Sequence, residues 1–103
     1  MIVTGWCNGS KKNSGAGYGI RLRRIDRDKY FDGRWRFVQI LIVGGRTIRV
    51  NLSASFWSNC IELRSKYIGS WMICNNHAPW ARNVPPNYKF VKIKGNMFKL
   101  SSY

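Results

Sequence analysis

RWRFVQILIVGGRTIRVNLS, Arg34 to Ser53, decides the fold class of this chain. Two runs rich in Val, Ile, Leu and Phe flank Gly44-Gly45, the pattern of two strands folded back on a tight turn. A two-residue loop at Gly44-Gly45 pairs Val43 with Arg46, Leu41 with Ile48, Gln39 with Val50 and Phe37 with Leu52. That mostly apolar face is expected to lie on the core. The opposite face carries Arg36, Val38, Ile40 and Ile42 beside Thr47, Arg49 and Asn51. A half-covered sheet with arginines on its outer face fits the pattern.

The segments on either side extend the sheet. Met1 to Cys7 reads as a first strand, and Asn8 to Gly17 (NGSKKNSGAG) has loop composition. Tyr18, Ile20 and Leu22 then alternate with Gly19, Arg21 and Arg23, a strand with one apolar and one cationic face. Asp26 to Gly33 reads as a charged turn whose acids pair locally with Arg24, Arg27, Lys29 or Arg34. After Ser53 or Ser55 as a cap, Phe56, Cys60, Leu63 and Tyr67 recur at helical spacing, widened by Trp57, Ile61 and Ile68. Gly69 is expected to weaken or end that helix. Asn75 to Asn87 holds all three prolines and reads as a loop. YKFVKIKGNMFKL, Tyr88 to Leu100, is a second hairpin on Gly95-Asn96. It sets Ile93 opposite Phe98 and Val91 opposite Leu100 on one face, and Lys92 opposite Lys99 and Lys94 opposite Met97 on the other. The expected architecture is one domain over residues 1–103, α+β and antiparallel strand-rich. It is a roll or small partly open β-barrel with one central helical segment (about 54–74) and a C-terminal hairpin.

Charge bounds the partner. Eighteen Lys+Arg oppose only Asp26, Asp28, Asp32 and Glu62, a formal net charge of +14. Self-repulsion on that scale weakens a compact state, so an anionic partner is the economical explanation, and nucleic acid is the commonest polyanion in a cell. Five Trp, five Tyr and five Phe are too large an apolar payload for a disordered tail. Cys7, Cys60 and Cys74 are odd in number and read as reduced, half-buried thiols in a reducing compartment. The N-terminal MIVTGWCNGS lacks the pattern of a signal peptide, and Phe37 to Val43 is too short to span a bilayer. The expected location is the cytoplasm, with no membrane partner.

Strand alternation nominates Arg21, Arg23, Arg36, Arg49, Lys92, Lys94 and Lys99 as a basic face that follows a phosphate backbone. Loop residues Lys11 and Lys12 close over its groove, and Arg46 stands at a hairpin end. Trp6 and Trp80 sit beside loops and are the expected stacking platforms for unpaired bases, whereas Trp35, Trp57 and Trp71 are expected to pack the core. Cys74-x-x-His77 has metal-like spacing but no second ligand pair to complete a zinc site, so neither metal nor cofactor is implied.

The series GYGIRL, DRDKYF, SFW..C.EL, IG.W and APW...PP, closing on I.GN.F.L, resembles a group of short bacterial proteins to which no activity is attached. The likeness runs from Gly17 to Leu100. It implies a bacterial or phage-like source, a self-contained domain, and packing roles for Phe56, Trp57, Cys60, Leu63, Ile68, Gly69 and Trp71. The leading expectation is a non-catalytic nucleic-acid-binding protein, monomeric or a homodimer. A module that docks an acidic protein partner stands second. A small metal-dependent nuclease using Asp26, Asp28 or Glu62 stands third.

Overall fold

The computed structural model describes all 103 residues. Strands β1 (Ile2–Cys7), β2 (Tyr18–Arg21), β3 (Phe37–Ile42), β4 (Thr47–Asn51), β5 (Glu62–Arg64), β6 (Asn87–Lys94) and β7 (Met97–Ser102) form one sheet in the order β4-β3-β7-β6-β1-β2-β5. Every ladder is antiparallel except the parallel one between β3 and β7. The sheet curls until its outer strands β4 and β5 approach each other. With helices α1 (Arg24–Tyr30) and α2 (Lys66–Cys74), the result is an α+β, nearly closed small barrel.

Alternating positions fill the interior. Val3, Tyr18, Ile20, Val38, Ile40, Ile42, Ile48, Val50, Leu63, Tyr88, Phe90, Phe98 and Leu100 all point inward and belong to one buried cluster. Aromatic rings run through it as a column. Phe90 stacks on Phe98 at 4.8 Å, Phe98 on Phe31 at 4.8 Å, Phe31 meets Phe56 at 5.1 Å, and Phe56 meets Trp57 at 5.2 Å. Phe56, Phe90 and Phe98 are fully buried, and each such ring stabilises the fold by about 1.5–3 kcal/mol. Phe31 and Trp35, which follow α1, close the end of the barrel where β3 begins. At the β3–β4 turn, α2 closes the other end: the Trp71 indole N–H donates to the Val43 carbonyl at 3.1 Å.

Both hairpins depart from the expected register. The β3–β4 loop holds three residues, Val43–Gly45, closed by the Ile42 N–H on the Arg46 carbonyl at 3.1 Å. Gly44 supplies the left-handed φ of +78° that this loop requires. The extra residue pairs Phe37 with Asn51, Gln39 with Arg49 and Leu41 with Thr47. A one-residue slip exchanges the faces of a strand. Val38, Ile40 and Ile42 therefore face the core, and Phe37, Gln39 and Leu41 face outward. In the C-terminal hairpin Lys94 does pair with Met97, but the ladder breaks between Lys92 and Lys94, so Ile93 is bulged out and the rest of the strand inverts. Lys92 then lies opposite Phe98 and Val91 opposite Lys99; Tyr88 and Phe90, not Val91 and Ile93, fill the core.

The central helical segment is divided. Ala54–Trp57 is a single 3₁₀ turn capped by Ser53, β5 follows, and α2 starts only after Ser65 caps it. A continuous helix would have buried Cys60 and Tyr67, yet both are exposed, while Leu63 buries opposite Ile20 as a strand residue. The expected charged turn at Asp26 to Gly33 is mostly helix α1. Of the thiols only Cys7 is half-buried; Cys60 and Cys74 are exposed.

Two contacts fix the helices. Gly69 lies within α2, where its missing Cβ leaves room for the Gly15 backbone; a side chain there would strike the Gly15 carbonyl. Arg27 is buried in α1 and donates to the carbonyls of Phe56 at 2.9 Å and Ser58 at 3.2 Å, tying α1 to the 3₁₀ turn.

Gly69→Ala is expected to lower stability by about 1–3 kcal/mol net, against the small gain in helix propensity, and to appear as a reduced urea midpoint at unchanged m-value. An unaltered midpoint would show that the Gly15 loop does not bear on α2. Arg27→Met should cost about 2–3 kcal/mol by leaving the two carbonyls unpaired. Faster amide exchange in residues 54–58 would accompany that loss.

Candidate nucleic-acid interface

Each of the four carboxylates is held against an arginine. Glu62 is buried between Arg64 at 3.0 Å and Arg21 at 3.5 Å. Asp26 binds Arg23 at 3.2 Å, Asp28 binds Arg27 at 3.0 Å, and Asp32 binds Arg34 at 2.6 Å. All these residues belong to β2, β5, α1 with its N-cap Arg23, and the turn after it. The block β4-β3-β7-β6 contains no acid, and its cations form no ion pair.

Register places those cations. On the outer face of the block, one row crosses the strands as Arg49, Gln39, Met97 and Lys94, and the next as Thr47, Leu41, Lys99 and Val91. A third row runs Ser101, Lys89 and Ile2. Arg36 leads into β3, its carbonyl accepting the Leu52 N–H at 2.9 Å. Arg36, Arg49 and Lys94 thus gather where β3 begins, β4 ends and β6 turns into β7. Lys92, inverted by the bulge, also reaches this end and lies 5.2 Å from the Trp35 ring. The Arg49 guanidinium lies 3.9 Å over Phe37, a cation–π contact that holds it against the sheet.

Five of the seven strand cations nominated from sequence are therefore brought together: Arg36, Arg49, Lys92, Lys94 and Lys99. Arg21 and Arg23 are instead bound to Glu62 and Asp26. Arg46 lies at the far end of the β3–β4 hairpin, 4.5 Å over Tyr67. Lys11 lines a separate cleft of about 310 Å³ with Trp80, Arg82 and Cys7, while Lys12 stands exposed in the same loop. Sequence reasoning missed Lys89 because the bulge reverses the strand's faces; the buried pair Tyr88 and Phe90 around it was the available signal.

Trp6 and Trp80 are half-buried. Arg64 covers Trp6 at 4.7 Å, and Trp80 packs edge-on against Tyr18 at 5.6 Å. Trp71 is buried as expected, but Trp35 and Trp57 are only partly so. Both line a surface cleft of about 500 Å³ with Arg34, Arg36, Leu52 and Ala54.

His77 is turned toward Tyr88, its Nδ1 3.1 Å from the phenolic oxygen, while Cys74 is exposed on α2. Burial raises the Tyr88 phenol well above its ordinary value of 10.0. No three of the Cys, His, Asp and Glu side chains converge. Asp26, Asp28 and Glu62 are each bound to an arginine. No helix is long and apolar enough to cross a membrane.

No protein-family model, curated protein or solved structure matches this chain.

The Asp32–Arg34 pair gives a direct check on the charge arrangement. Hydrogen bonds from the Arg34 side chain, then from its backbone N–H, lower the Asp32 carboxyl from 3.8 to about 2, with a smaller contribution from Lys92. Its contribution to stability is thus present above 3.8 and is lost as pH falls through about 2. An NMR titration should find Asp32 protonating near pH 2, and Arg34→Gln should return it toward 3.8.

Proposed function

We propose that this chain is a non-catalytic, cytoplasmic nucleic-acid-binding protein, and that the outer face of β4-β3-β7-β6 is its contact surface. One observation carries the reading: the outer face of the block gathers Arg49, Lys89, Lys94 and Lys99 with no carboxylate and no ion pair among them. A cation already paired with a carboxylate gains little from a phosphate, whereas an unpaired one releases condensed counterions when it binds. The face lacks the donor fork of a protruding recognition helix, so contacts to the backbone should dominate those to base edges.

An acidic protein partner is the second reading, favoured by the exposed aliphatics that interleave with the cations. Leu41, Val91 and Ile2 are 38%, 50% and 40% exposed on the same rows. Its mark is binding to an acidic protein at salt concentrations that release nucleic acid.

For the leading reading, log affinity should fall linearly with log salt, and Arg49→Gln, Lys94→Gln and Lys99→Gln should each reduce the slope by about one. Arg23→Gln, whose partner is Asp26, should leave it unchanged. A flat salt dependence, or equal effects from Arg23 and Lys99, would remove the basis for this surface.

A further inference from the structure

We propose that the cleft between Trp35 and Trp57 takes one unpaired nucleotide, with its base against indole and its phosphate on Arg36. The inference rests on the nucleic-acid reading and adds the strand state of the ligand.

Three observations support it. First, both tryptophans are only partly buried although a core was at hand to take them. Trp35 edges onto Phe98 at 6.3 Å and Trp57 onto Phe56 at 5.2 Å, so each uses part of its ring on the aromatic column and shows the rest to the cleft. Second, the charges suit an aromatic anion and disfavour a cation. Arg34 is bound to Asp32, but Arg36 is exposed and makes no ion pair, and Lys92 lies against the Trp35 ring. Third, the cleft is continuous with the basic sheet. Leu52 in its wall is the residue whose N–H pairs with Arg36, and Phe37 with Arg49 above it is the next outward position on β3. A strand lying along the cationic rows therefore arrives at two indoles at the end of the sheet. Stacking needs no base-specific hydrogen bonds, so the cleft would accept any base that is free of a duplex. A duplex keeps its bases stacked inside and cannot deliver one without unpairing.

The test uses the full chain with three probes of equal length: a single-stranded oligothymidylate, the same backbone with abasic sites, and a duplex. Binding is followed by anisotropy of the labelled probe across a salt series. The wild type should hold oligothymidylate about tenfold more tightly than the abasic strand. Trp57→Leu should erase that preference and leave the salt slope intact, whereas Trp57→Phe should retain it. Arg36→Gln should weaken every single strand and lower the slope by about one. If Trp57→Leu fails to fold, the wild-type comparison with the abasic strand decides: equal affinity overturns the stacking cleft. Retention of the base preference in Trp57→Leu overturns it too, and in both cases a steep salt slope leaves the sheet surface standing. A flat slope for all probes overturns both.

Discussion

The parallel ladder between β3 and β7 is the contact on which the architecture depends. It alone joins the β3–β4 hairpin to the rest of the sheet, and it sets Ile40 beside Phe98 and Ile42 beside Leu100. That register turns Val38, Ile40 and Ile42 inward, settling a choice that the apolar composition of both faces of β3 leaves open. It also brings the Arg49 strand alongside the Lys99 and Lys94 strands. Without this ladder the cations of the central and C-terminal hairpins would belong to separate surfaces.

Charge partition follows from where the acids fall in the chain. Asp26, Asp28 and Asp32 lie within or just after α1, beside Arg23, Arg27 and Arg34 in sequence, and local ion pairs form at short loop-closure cost. Glu62 meets Arg21 across the β2–β5 ladder and Arg64 two residues on. The exposed guanidiniums of Arg21, Arg23, Arg34 and Arg64 contribute little to stability individually. Their consequence is spatial: each acid is occupied by a neighbouring arginine, and the strands β4-β3-β7-β6 carry no negative charge of their own. Self-repulsion within that uncompensated surface opposes the compact state, and the aromatic column with its fully buried rings offsets it.

Much of this was legible in the sequence. Strand alternation located β1, β2, both hairpins and the proline-rich loop, because each combines a period of two with turn residues at its ends. What escaped it were single-residue events. A third residue in the Val43–Gly45 loop and the bulge at Ile93 each invert a strand, and neither leaves a mark on composition. Ile61, Leu63 and Ile68 also fit a helical stripe, and only the open edge of β2, a partner far away in sequence, turns Glu62–Arg64 into a strand. The site suffered accordingly: Lys89 takes the outer-face place expected of Lys92, and Trp35 and Trp57, expected in the core, are only partly buried, like Trp6 and Trp80.

Strand order has a further implication for how the molecule comes into being. The β6–β7 hairpin occupies the middle of the sheet but comes from the C-terminal part of the chain, pairing Ile2 with Lys89 on one flank and Gln39 with Met97 on the other. During synthesis, β1 and β3 must therefore wait as two unfinished edges with no partner between them. Such distant closure is slow. Because the same hairpin carries Lys89, Lys94 and Lys99, a nascent chain has no assembled cationic surface before that closing insertion, and the charged face arises together with the native state.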